Sequence, residues 1–154
     1  MDDHASDLST EAAATALRER VQSSLDRQGM MQQLGVRLLA VAPGTVTLAL
    51  PYSDRVTQQQ GGFHGGAMGA LADIAGGYAG LTVAPEGMEV TTVEYKINFL
   101  AAFQGGELHA TGRVLKGGKR IIVTMADVVH VAADGKRTDC AVMQQTLVPV
   151  PKTY

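Results

Sequence analysis

Leu17, Val21 and Leu25 recur at helical spacing with charged residues between them, which predicts an amphipathic helix over residues 11–25, capped by Ser9 or Thr10. Gly29 interrupts that pattern, residues 30–34 form a short turn, and Gly35 ends it. Residues 36–42 then read as a strand. Pro43-Gly44 makes a tight turn, and residues 45–50 alternate polar and apolar positions as a half-buried strand does, so the two segments form a predicted hairpin.

Beyond a loop rich in Gln and Gly at residues 58–63, the run from Gly65 to Leu81 is almost wholly small and apolar. It predicts a buried helix, closed by Pro85-Glu86-Gly87. A strict period of two follows: Val93, Tyr95, Ile97 and Phe99 point one way while Thr92, Glu94, Lys96 and Asn98 point the other. Residues 107–115, 120–131 and 138–148 are three further strands, joined by hairpin turns at Lys116-Gly117-Gly118-Lys119 and Ala133-Asp134-Gly135-Lys136. The order is α+β with an antiparallel sheet. A helix that is apolar nearly all round must be covered nearly all round, which a strongly curved sheet wrapped around it achieves. The Gly65 to Gly69 and Gly76 to Gly80 spacings would let strands and a neighbouring helix approach that helix closely. Residues 1–27 are expected to be a leader and helix, and residues 28–154 a single domain.

With 154 residues, 45% apolar and 18% charged, one ordinary globular core is expected. A net charge of -2 gives no bulk attraction to nucleic acid or an anionic membrane, so neither is an expected partner. Cys140 is the lone cysteine, which excludes an intrachain disulfide, and the acidic start with Asp2, Asp3 and Asp7 has no signal-peptide pattern, so a cytoplasmic protein is expected. The apolar run from Gly65 is long enough to span a bilayer, yet it carries Asp73 and is modest in hydrophobicity, so a core helix is the better reading.

Asp73 is the most informative residue. Burying an ionised carboxylate costs several kcal/mol unless it is paired or hydrogen-bonded, so a lone Asp in that run is either satisfied by backbone or assigned to chemistry. Elimination narrows the chemistry. All five serines lie at or before Ser53, which leaves no Gly-x-Ser-x-Gly elbow, and Cys140 sits in an apolar strand pattern. His4, His64, His109 and His130 lack the spacing of a metal site, so no metal is expected, and His109 and His130 read as ordinary strand residues. The glycines fit neither the dinucleotide fingerprint nor the P-loop. What remains is Gln58, His64-Gly65-Gly66 and Asp73. A helix starting at Gly65 leaves its first amides unpaired, a ready oxyanion site or merely a tight turn. Asp73 lies about 12 Å further along the same helix, so the two features act on one atom only if the carboxylate comes from a second subunit.

Gln58-x-x-Gly61-x-x-His64-Gly65-Gly66 followed by Leu71-Ala72-Asp73 resembles the hotdog-fold acyl-CoA thioesterases of the phenylacetic-acid-degradation type, and the likeness continues through residues 90–100 and the later strands. The resemblance implies a hotdog fold with an extra N-terminal helix, in which Asp73 is the catalytic carboxylate, the Gly65 N–H polarises the thioester carbonyl, and His64 sets the helix entrance. Many members carry Asn where this chain has Gln58, an amide that would orient water or substrate. Gly66 belongs to the same turn, and either Thr91 or Thr92 supplies a hydroxyl near the carboxylate. Arg113, Lys116, Lys119 and Arg120 gather at one hairpin and either bind coenzyme A phosphates or form a solvated turn, with Lys119 and Arg120 favoured. The expected activity is hydrolysis of acyl-CoA, with coenzyme A part of the substrate and no cofactor, in a homodimer that assembles into a homotetramer. The alternatives are a noncatalytic acyl-CoA-binding hotdog protein and an acyl-thioester dehydratase or hydratase.

Overall fold

The computed structural model describes residues 3–154, with side chains from Thr10 onward. Helix α1 spans Asp3–Leu25, α2 Gly29–Leu34, and the β1 (Arg37–Ala42) and β2 (Thr45–Pro51) hairpin follows. A single helical turn at Asp54–Val56 leads to α3 (Gly65–Leu81), then β3 (Met88–Phe99), β4 (Glu107–Lys116), β5 (Ile122–Val131) and β6 (Arg137–Pro151). The strands form one six-stranded antiparallel sheet in the order β1-β2-β4-β5-β6-β3. This is the hotdog arrangement, a curved sheet packed against a central helix. Helix α1 begins well before residue 11, because the alanine-rich stretch around Ala12 to Ala14 favours continuation. Ser9 and Thr10 therefore lie within it and do not cap it.

Inner-face residues of four strands, among them Leu48, Leu108, Val128 and Met143, are fully or almost fully buried against α3. The helix approaches so closely that side chains are excluded at particular points. At Gly112 of β4 an added Cβ would overlap the backbone of Ala75. At Gly80 it would overlap Leu147 of β6, and at Gly69 it would stand 3.5 Å from the Tyr95 hydroxyl of β3. The glycine spacings thus do what the sequence reading expected. The helix backbone is reached by the backbone of β4 at Gly112 and by side chains of β3, β5 and β6 at Gly69, Gly76 and Gly80.

One expectation is corrected. The β3 register slips between Thr92, opposite Leu147, and Glu94, opposite Thr146, so Val93 is an extra bulged residue and the period of two breaks there. Tyr95 pairs with Gln145 and Thr92 with Leu147, both inward-facing residues of β6, so Thr92 and Tyr95 share the helix side of the sheet. Strict alternation would have put them on opposite faces. Val93 itself is exposed.

Gly112, in this helix-sheet contact, and Gly77, on the open side of α3, should respond oppositely to alanine. Gly112→Ala should destabilise the protein by about 2 kcal/mol or more through forced overpacking against α3. Gly77→Ala, where nothing lies within 4 Å of the new methyl, should be neutral or stabilising by up to about 1 kcal/mol through helix propensity. Denaturant unfolding of the two variants measures both signs.

Candidate active site

The carboxylate of Asp73 is half-buried in the middle of α3, facing β3 and β6. Its Oδ1 accepts two hydrogen bonds, each 2.7 Å long, from Thr92 Oγ1 and from Gln145 Nε2. Both fall on the same oxygen, Oδ1. The same amide nitrogen lies 3.2 Å from Thr92 Oγ1, and Gln145 Oε1 accepts from Thr124 Oγ1 at 3.1 Å. Gln145 and Thr124 are completely buried. Thr92 is therefore the hydroxyl in contact with Asp73, placed there by the bulge at Val93, while the neighbouring Thr91 is exposed.

A cavity of about 530 Å³ opens beside the carboxylate, walled by Ile74, Gly77, Val90 and Pro151. Its far side is polar. Tyr78 Oη accepts from Gln28 Nε2 at 2.7 Å and donates to Ser24 Oγ at 3.2 Å, so residues from α1 and the turn after it close the cavity. Burial raises the Tyr78 phenol above its ordinary range, an effect partly offset by these two bonds.

The other end of α3 carries the His-Gly-Gly turn. His64 precedes the helix in extended conformation, and its Nδ1 accepts the Gly66 N–H at 2.8 Å, a side-chain cap that consumes one free amide of the first turn. His64 N–H in turn donates to Val56 O at 2.7 Å. Among the described residues nothing accepts from the Gly65 N–H, and on the Cα side of this glycine stands the Phe99 ring, whose Cζ a Cβ would meet at 3.2 Å. Gln58 folds back on its own loop, where Oε1 accepts from the Gln60 N–H and the backbone carbonyl accepts from the Gly61 N–H at 2.9 Å. Within one chain the site is thus in two parts. Asp73 with Thr92 forms one, and Gln58, His64, Gly65 and Gly66 form the other, about 12 Å away along the helix.

Comparison with known proteins settles the family. The thioesterase superfamily matches residues 60–132. A protein of Saccharolobus solfataricus named "Putative esterase" is 36% identical over 67% of this chain and 71% of its own. A Halobacterium salinarum protein, also named "Putative esterase", is 31% identical over 79% of this chain and 85% of its own. The chain belongs to the thioesterase superfamily. A solved thioesterase family protein from Silicibacter pomeroyi superimposes with a TM-score of 0.84 at 34% identity, covering 88% of this chain and 99% of that one. The E. coli PaaI protein of the phenylacetic acid degradation operon shares the fold, with a TM-score of 0.79 at 20% identity over 91% of this chain and 97% of its own. Hydrolysis of acyl thioesters is the activity this membership supports.

His130, His109 and Arg113 are held by contacts within the fold. His130 Nε2 is bonded to the Gly105 carbonyl at 2.9 Å and its ring stacks on Phe103, while His109 pairs with Glu107 at 2.5 Å. That contact is the largest factor holding the Glu107 carboxyl below its ordinary range. Arg113 is tied to Asp127 at 2.5 Å, whereas Lys119 and Arg120 are exposed on the hairpin beyond β4. Among the described residues no cluster of three or more His, Cys, Asp or Glu side chains is arranged to hold a metal, and no helix is long and apolar enough to cross a membrane.

Gln145 and Thr124 are the site neighbours that sequence reasoning passed over. A signal was present. Both interrupt an apolar face of period two, Ala141, Met143 and Leu147 in one strand and Ile122, Ala126 and Val128 in the other.

Cys140 is fully buried, and its Sγ lies 3.2 Å from the Val128 carbonyl. Burial pushes its thiol from 9.0 up to about 11, so a thiolate nucleophile at neutral pH is ruled against. The raised value means that the folded state keeps its proton where the unfolded chain has lost it. This contribution to stability is complete below pH 9.0 and is lost as pH rises through about 11. Urea unfolding at stepped pH should show that decline in the wild type and a flatter profile in Cys140→Ala.

Proposed function

We propose that the protein hydrolyses acyl-CoA thioesters to a free acid and coenzyme A, with Asp73 as the reacting carboxylate. The carrying observation is a half-buried carboxylate whose Oδ1 is held by two donors while a cavity opens at its side. The acyl group occupies that cavity. The thioester carbonyl oxygen accepts from the unpaired Gly65 N–H, at a helix N-terminus where developing negative charge is favoured. Asp73 Oδ2 then either takes a proton from the attacking water or attacks the carbonyl carbon itself, giving an anhydride that water opens. In both routes the carbon–sulfur bond breaks and the sulfur leaves as the coenzyme A thiol. Gln58 orients the water or the substrate, and exposed Lys119 and Arg120 meet the nucleotide phosphates of coenzyme A.

The same reading makes the site a property of two chains. Asp73 and Gly65 on one rigid helix are too far apart to hold one carbonyl, so Asp73 of one protomer works with Gly65 of its partner. The edge strand β3 supports such pairing, because Val93, Tyr95 and Phe99 are exposed along an unpaired edge. An edge of that composition is stabilised by a second copy of itself in a two-fold dimer.

Thiol release from a panel of acyl-CoAs tests the activity. Wild-type protein should liberate coenzyme A, and Asp73→Asn should lower kcat about a hundredfold or more while remaining folded. Unchanged turnover in Asp73→Asn would remove the carboxylate from the mechanism. Sharing of the site has its own test, in which Asp73→Asn chains are co-expressed with Gly65→Pro chains. Proline is tolerated at the first helical position and removes the N–H. A shared site leaves one intact site in each mixed dimer, so the isolated mixed dimer should recover about half the wild-type activity and the unfractionated co-expressed sample about a quarter. Sites confined to one chain would leave the mixed dimer inactive.

A further inference from the structure

We infer that Gln145 is a positioning residue for the Asp73 carboxylate and that Thr124 sets the direction of its amide. The inference rests on the reading of Asp73 as the reacting group. Gln145 is fully buried, and the contacts of its amide nitrogen all point at the site: Nε2 donates to Asp73 Oδ1 at 2.7 Å and approaches Thr92 Oγ1 at 3.2 Å and the Asp73 carbonyl at 3.4 Å. Burying a primary amide there, in a row otherwise filled by Ala141, Met143 and Leu147, costs desolvation that an apolar residue avoids. The amide therefore needs a polar partner, and the carboxylate is that partner.

Direction matters because the amide has a donor end and an acceptor end. The Thr124 hydroxyl donates to Oε1 at 3.1 Å, which turns Nε2 toward Asp73. Reversed, the amide would set its oxygen against a carboxylate oxygen, two acceptors with no proton between them. Room for the amide comes from Gly76, one helical turn from Asp73: a side chain there would overlap Gln145 Oε1 and come within 2.8 Å of Thr124 Oγ1. Three elements, α3, β5 and β6, thus hold one rotamer of one carboxylate. With Oδ1 fixed by Gln145 and Thr92, Oδ2 has a single direction in which to act.

Kinetics of Gln145→Leu, Thr124→Val and Thr124→Ser, each in wild-type and Asp73→Asn backgrounds, separate this role from packing. Gln145→Leu should lower kcat for acyl-CoA hydrolysis about ten- to hundredfold, the loss of a hydrogen bond to a charged group, with KM within about twofold. Thr124→Val should lose part of that rate, and Thr124→Ser, which keeps the hydroxyl, should recover most of it. In the Asp73→Asn background Gln145→Leu should change the residual rate less than about twofold, since the two residues act as one unit. A Gln145→Leu enzyme with wild-type kcat, a loss carried by KM, or the same factor lost with Asp73 already replaced would overturn the inference. If Gln145→Leu does not fold, the Thr124 pair decides: equal rates in Val and Ser variants would overturn it. Failure of the wild type to cleave any acyl-CoA would instead overturn the underlying reading of function.

Discussion

Helix α3 lies against the sheet at backbone distance, and that closeness is what the rest of the molecule depends on. Gly112 of β4 meets the helix backbone at Ala75, and the helix leaves space for Gln145 and Leu147 of β6 at Gly76 and Gly80. Each contact requires a missing side chain on one partner. Larger residues would move the sheet outward and take with it the polar groups that reach Asp73. Close packing here serves the site as much as it serves the core.

A charged group in such a place must be hydrogen-bonded, and the sheet supplies the donors through two local departures from pattern. The bulge at Val93 turns Thr92 inward, and a glutamine stands where the β6 row is otherwise apolar. The other half of the site follows from helix geometry. His64 satisfies the Gly66 amide and leaves the Gly65 amide unpaired among the described residues, an arrangement that a helix start permits. In the proposed dimer the length of α3 between these points becomes functional, because each helix contributes its start to one site and its middle to the other.

Helix α1 joins the domain through its last turns. Val21 and Leu25 are buried in the core, Arg20 reaches the Met88 carbonyl at 2.8 Å, and Ser24 meets Tyr78 across the cavity. The segment outside the part of the chain that most resembles other thioesterases therefore forms a wall beside the carboxylate.

Period and punctuation in the sequence were enough to determine the order of elements, the antiparallel sheet and the burial of the long apolar helix, because these follow from local spacing of apolar residues and glycines. Asp73 stood out for the same reason, a charge among small apolar neighbours. His64 could be placed at the helix start from its position before two glycines. Tertiary structure alone decided that Thr92 and not Thr91 touches the carboxylate, since a single extra residue opposite β6 reverses which face a side chain takes. It alone joined Gln145 and Thr124 to Asp73 in the space left at Gly76, because three elements far apart in the chain cross at one point. Alternation along a strand shows which residues are buried. What they are buried against is decided by the crossing.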